Sequence, residues 1–114
     1  MSTTIYYFSG TGNSLKIAKD LSDNLPNSKI IRICNENMKI TSIASSEKIG
    51  FVFPVYYRGL PHLVAKFIKA LQINPKTYVF AVANFGSYAA LTFEQIDKLL
   101  ISKGTKLSAN FSIA

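Results

Sequence analysis

The 114-residue chain alternates between short apolar runs and longer stretches in which apolar residues return every three or four positions. Residues 3–8 (TTIYYF) are apolar and rich in β-formers, and predict a first strand. Across 13–24, Leu15, Ala18 and Leu21, followed by Leu25, recur at near-helical spacing, while Lys16, Lys19, Asp20 and Asp23 take the other side. Asn24 and Pro26 end this helix. Residues 29–33 (KIIRI) and 48–55 (KIGFVFPV) predict the second and third strands. The third is apolar on both faces, as in a central parallel strand covered by helices. The polar stretch 34–46 between them has room for barely one helical turn, so a reduced crossover is expected. Leu60, Leu63, Val64, Phe67, Ile68 and Leu71 predict a second helix, opened by Gly59–Leu60–Pro61 with Pro61 in its first turn and broken by Pro75. Residues 76–83 (KTYVFAVA) predict a fourth strand. A third helix over 88–103 turns Phe93, Ile96, Leu99 and Leu100 inward and takes Gly104 as its C-terminal cap. Residues 105–113 (TKLSANFSI) predict a fifth strand.

Strands alternating with helices imply an α/β protein with a doubly wound parallel sheet and right-handed crossovers. In such sheets ligands bind beyond the carboxyl ends of the strands, where the winding reverses. Three chemically unusual loops leave strand ends: Ser9–Ser14, Pro54–Gly59 and Asn84–Tyr88. The first (SGTGNS) holds hydroxyls, an amide and two glycines, and no charge. It is not a Walker A loop, because Asn13 and Ser14 follow Gly12 where lysine and a hydroxyl residue should stand. It is not a dinucleotide fingerprint either, because Leu15 occupies the last glycine position. What remains is a tight turn at a helix N-terminus, where free NH groups and the helix dipole favour an anion. Ser9, Thr11, Asn13 and Ser14 would add side-chain donors for a phosphomonoester. The plainer alternative is a glycine turn capped by Asn or Ser.

Composition narrows the class. The chain is 48% hydrophobic, which excludes a disordered protein, and no apolar run is long enough to suggest a membrane span. Met1 leads almost directly into a strand with no charged segment before an apolar one, so a cytoplasmic protein is expected. The single Cys34 excludes an internal disulfide and any multi-cysteine zinc or iron–sulfur site, and no metal is expected. The net charge is +7, but the 13 Lys and Arg are scattered. That pattern suits a solvated basic surface or a docking face for an acidic partner, and not nucleic acid. His62 lacks a second ligand at metal spacing, Cys34 lacks a phosphatase-type context, and Glu36 lacks the glycine fingerprint that would make it a ribose contact. Pro54 and Val55 stand where a phosphorylated aspartate would end the third strand. No acid/base pair or nucleophilic triad is visible, so no catalytic residue is assigned and any chemistry must come from a cofactor.

FSGTGNS after a first strand resembles the phosphate loop of the flavodoxin family, whose members themselves exemplify binding at the switch point. Together with GFVFPVYYRGLP and YVFAVANFGS, it is similar to the flavodoxin-like domain of flavodoxin–ferredoxin fusion proteins of anaerobes, over essentially the whole chain. The resemblance implies a five-stranded sheet of order 2-1-3-4-5 and FMN as cofactor. Ser9, Thr11, Gly12, Asn13 and Ser14 would hold the phosphate, with Gly10 serving the turn. Pro54, Val55, Tyr56, Tyr57, Arg58 and Gly59 would lie along the isoalloxazine ring, with Gly59 allowing close approach. A peptide within Tyr57–Gly59 would turn its carbonyl towards the reduced ring. Asn84, Phe85, Gly86, Ser87 and Tyr88 would serve the pyrimidine edge through backbone NH groups and Ser87, with Phe85 or Tyr88 covering the second ring face.

Two features depart from the family. Flavodoxins are usually acidic, whereas this chain carries +7, which favours an acidic ferredoxin or ferredoxin domain as redox partner. No helix follows the fifth strand before Ala114, so residues 1–114 read as an FMN-binding domain lacking its last helix. It is expected to be a fragment of a longer chain, or to bury the bare sheet face by forming a homodimer. The function implied is electron transfer between redox proteins. The rivals are an FMN-dependent NAD(P)H or quinone reductase, and a flavin-free interaction domain of the same fold.

Overall fold

The computed structural model describes residues 2–8, 13–34, 43–44, 47–55, 60–84 and 89–113. Among these residues seven strands and three helices follow in the order β1 (Thr3–Tyr7), α1 (Asn13–Asn24), β2 (Ser28–Arg32), β3 (Ile43–Ala44), β4 (Lys48–Pro54), α2 (His62–Ala70), β5 (Gln72–Ile73), β6 (Tyr78–Asn84), α3 (Ala89–Ile101) and β7 (Ala109–Ile113). Five strands form one parallel sheet in the order β2-β1-β4-β6-β7. Numbered by its own members, that order is the expected 2-1-3-4-5. The sheet and its three helices make a flavodoxin-like fold.

Strand alternation sorts the core onto two faces. Ile49, Phe51 and Phe53 of β4 and Val79, Ala81 and Ala83 of β6 meet Val64, Phe67 and Ile68 of α2 and Ile96 and Leu100 of α3. The phenol ring of Tyr6 joins them, with ring centroids 5.8 Å from Phe51 and 4.9 Å from Phe67. On the opposite face Ile5, Val52, Phe80 and Val82 pack with Ala18 of α1, flanked by Ile17, Leu21 and Leu25. The polar positions Lys16, Lys19, Asp20 and Asp23 face outwards as their spacing predicts. Gly50 and Phe80 are register partners on that second face, and a Cβ at position 50 would overlap the outer atoms of the Phe80 ring, Cζ first. The missing side chain on β4 is what lets the ring lie across the sheet.

Several boundaries differ from the sequence reading. α2 begins at His62, and Pro61 is its N-cap (φ −56°, ψ 137°) instead of a first-turn residue. It stops at Ala70, well before Pro75, because Leu71 is already extended while its NH still donates to Phe67 O at 3.0 Å. Gln72 and Ile73 then pair in parallel with Ile43 and Ala44, a two-residue ladder that the polar crossover gave no sign of. Residues 105–108 precede the last strand: the Leu107 NH donates to Asp97 Oδ1 at 2.8 Å and the Ser108 NH to Val79 O at 2.7 Å. Gly104 caps α3 as expected, with φ +84°, while the Thr105 NH reaches back to Leu100 O at 3.1 Å.

Candidate functional site

The winding of the sheet fixes where its loops gather. From β1 the chain passes outwards to β2, then returns to the other side of β1 to form β4, β6 and β7. The reversal falls between β1 and β4, and the carboxyl end of such a reversal is where open α/β sheets take their ligands. The segments leaving β1, β4 and β6 all start from that edge of the sheet.

Each segment leaves from a backbone pinned one residue beyond or at its strand end. The Phe8 NH donates to Val52 O at 2.8 Å, and the Val55 NH donates to Asn84 O at 2.9 Å. Where the second segment returns, the Leu60 NH donates to Gln95 Oε1 of α3 at 2.9 Å. Gln95 is therefore a support for this edge that sequence reasoning missed. A half-buried polar residue in an amphipathic helix carries no signal that distinguishes it from any other flank position.

α1 opens at the same edge, with Asn13 exposed and Ser14 only 2% exposed in its first turn. That turn contains no acidic residue, so the positive end of the helix is not neutralised by its own sequence. Asn84, assigned above to the third loop, is the last residue of β6, opposite Pro54 on β4 and Ile113 on β7. It is 4% exposed, and its Nδ2 is buried with no hydrogen-bond partner among the described residues. Asn13, Ser14, Pro54, Val55 and Asn84 thus come together at one end of the sheet. Ser9, Gly10, Thr11 and Gly12, Tyr56 to Gly59, and Phe85 to Tyr88 lie outside the described residues.

Two residues to which the sequence reading assigns no chemistry fall among the described ones. His62 is exposed on the first turn of α2, and Cys34 is a half-buried free thiol after β2. Among the described residues no group of His, Cys, Asp and Glu is placed to hold a metal ion. No described helix is long and apolar enough to cross a membrane.

A parallel sheet whose winding reverses between β1 and the next strand, with a hydroxyl-rich sequence after β1, is the pattern of the flavodoxin class, and sequence comparison agrees. Residues 4–107 match the family described as Flavodoxin domain, and the chain belongs to that family. No curated protein matches it. Among solved structures it is similar to the two-electron reduced flavodoxin of Megasphaera elsdenii, with a TM-score of 0.75 and 18% identity over 96% of this chain and 84% of that one. It is also similar to a flavoprotein from Lactobacillus acidophilus in complex with FMN (TM-score 0.74, 11% identity, covering 97% and 92%). A third similar structure is an NADH:FMN oxidoreductase in its apo form (TM-score 0.63, 14% identity, covering 98% and 76%). At these identities the likeness is one of fold.

Proposed function

We propose that this chain binds FMN and carries electrons between redox proteins. The observation that supports this reading most directly is the reversal of winding between β1 and β4, with the uncharged SGTGNS segment leaving β1 at that point. The available groups suit such a ligand. A helix N-terminus free of acidic residues favours a phosphate, and the unpaired Asn84 donor asks for an acceptor.

In this reading Ser9, Thr11, Gly12, Asn13 and Ser14 hold the phosphate by hydrogen bonds without a cationic side chain, around a turn made by Gly10. In the same reading Pro54 to Gly59 would lie along the ring and Asn84 to Tyr88 would serve its pyrimidine edge. FMN, when bound, supplies the one- and two-electron chemistry that no side chain here provides. The net charge of +7 supports an acidic partner such as a ferredoxin or a ferredoxin domain, in keeping with the resemblance to flavodoxin–ferredoxin fusion proteins.

The phosphate loop gives the test. Thr11→Ala with Ser14→Ala should weaken FMN at least ~100-fold, since each hydrogen bond to a charged group is worth about 1.5–3 kcal/mol. Riboflavin, which lacks the phosphate, should lose far less. An equal loss for both flavins in fluorescence titrations would remove the assignment. The likeness to an NADH:FMN oxidoreductase favours a second reading, an FMN-dependent reductase. Oxidation of NADH or NADPH by the FMN-loaded protein without a partner would select it; electron transfer only through a second protein selects the carrier.

A further inference from the structure

We infer that the amino-terminal edge of the sheet is a docking surface for an acidic segment of a partner protein, built from Lys69, Lys76, Lys98 and Lys106 with Ile101 as its apolar contact. The inference goes beyond the flavin reading and does not depend on it. It gives the acidic partner a place on the molecule.

The first ground is convergence. Helices that join parallel strands run against them, so α2 and α3 end at the edge where β4 and β6 begin. Lys103 ties the two helix ends together, its Nζ donating to Lys69 O at 2.9 Å. Gly104 faces the turn before β6, where a Cβ on it would lie 3.6 Å from Pro75 Cγ. Residues 69–77 and 98–108 therefore form one surface. Lys69, Lys76, Lys98 and Lys106 are exposed on it, and Ile101 is 64% exposed.

The second ground is unbalanced charge. None of the chain's six acidic residues falls within 48–93 or 98–114. Asp97 borders the surface, but its Oδ1 accepts the Leu107 NH, and Glu47 lies just before β4. A lysine in the last turn of a helix complements the helix dipole, which accounts for Lys69 and Lys98. It does not account for Lys76 and Lys106, which lie outside any helix.

The make-up of the surface selects the partner. Its two segments contain no arginine and no aromatic residue, so they lack the forks and stacking faces that read nucleic acid. Ile101 is their one exposed large apolar side chain, too little to enter a bilayer. It suffices as an anchor among charges that steer an acidic chain. Along the seven residues of β4 and of β6, this edge stands about 20 Å from the carboxyl ends of the strands. A segment seated there holds the partner and leaves the ligand edge open.

Fluorescence anisotropy of a short labelled peptide of glutamate and aspartate with a central leucine tests this on the purified protein. The peptide should bind, more weakly as salt rises, and saturating FMN should not displace it. Lys76→Glu with Lys106→Glu should weaken it about tenfold or more at an unchanged urea midpoint. Lys16→Glu with Lys19→Glu, on the exposed side of α1, removes the same net charge and should cost at most about threefold. Ile101→Ser should weaken this peptide and leave a leucine-free version unaffected. No binding at low salt, equal losses from the two lysine pairs, displacement by FMN, or tighter binding of duplex DNA or phosphatidylserine vesicles to the same lysines would overturn the inference. The peptide measurement needs no flavin, so its failure and a failure of the flavin reading are seen separately.

Discussion

Tyr6 places a phenol among the aromatic rings of the α2–α3 side of the core, and burial pushes its ionisation upwards. The folded state therefore holds this proton more tightly than the unfolded chain does. The associated stability is complete below the unfolded value, near pH 10, and is lost as pH rises through the folded one. Lys103 opposes it: burial lowers its ammonium, whose Nζ donates to Lys69 O at 2.9 Å, so its effect on stability becomes more favourable as pH rises towards the unfolded lysine value. Tyr6→Phe keeps the ring contacts and removes only the phenol titration. Urea unfolding from pH 8 to 11 should show a shallower alkaline loss in the variant, with the lysine contribution cancelling between the two proteins. Identical pH profiles would mean that the phenol ionises without disturbing the fold.

Among the elements, the β4–β6 pair depends on one absent side chain. Gly50→Ala would place a methyl group where the Phe80 ring lies, and overpacking of this kind costs about 1–3 kcal/mol. Phe80→Leu in the same chain should recover part of that loss, and a denaturation double-mutant cycle would report the coupling. Additive effects would show that the ring moves aside freely. The five main strands and three helices were legible because each buries a continuous apolar set: Phe51 to Phe53 on both faces of β4, or Val64, Phe67 and Ile68 along α2. β3 and β5 were not legible, since two-residue strands exist through each other and not through local preference. Asn84 read as loop because a polar residue after an apolar run looks like an ending; the register with Pro54 and Ile113 carries the strand through it. The three loop motifs were visible as composition. The donor left unpaired at Asn84 was not, because pairing depends on neighbours distant in sequence.

At the scale of the whole molecule, the two edges of the sheet differ in character. β2 presents exposed Lys29 and Arg32, the charged blocking residues that discourage edge-to-edge contact. β7, the opposite edge, lies in a stretch 107–113 (LSANFSI) without charge, and its Phe111 and Ile113 are 55% and 42% exposed. Concentrating the 114-residue chain should therefore populate a dimer in sedimentation equilibrium, and Phe111→Lys should dissolve it with little cost in stability because that side chain is already half in water. A monomer at all concentrations would show that the polar backbone of β7 is adequately served by solvent. The asymmetry also limits how far association can proceed. A molecule with two adhesive edges is a link in an endless chain, and its assemblies lengthen into fibres. With a single adhesive edge, two copies related by a twofold axis consume each other's valence and present only repelling, basic borders to a third.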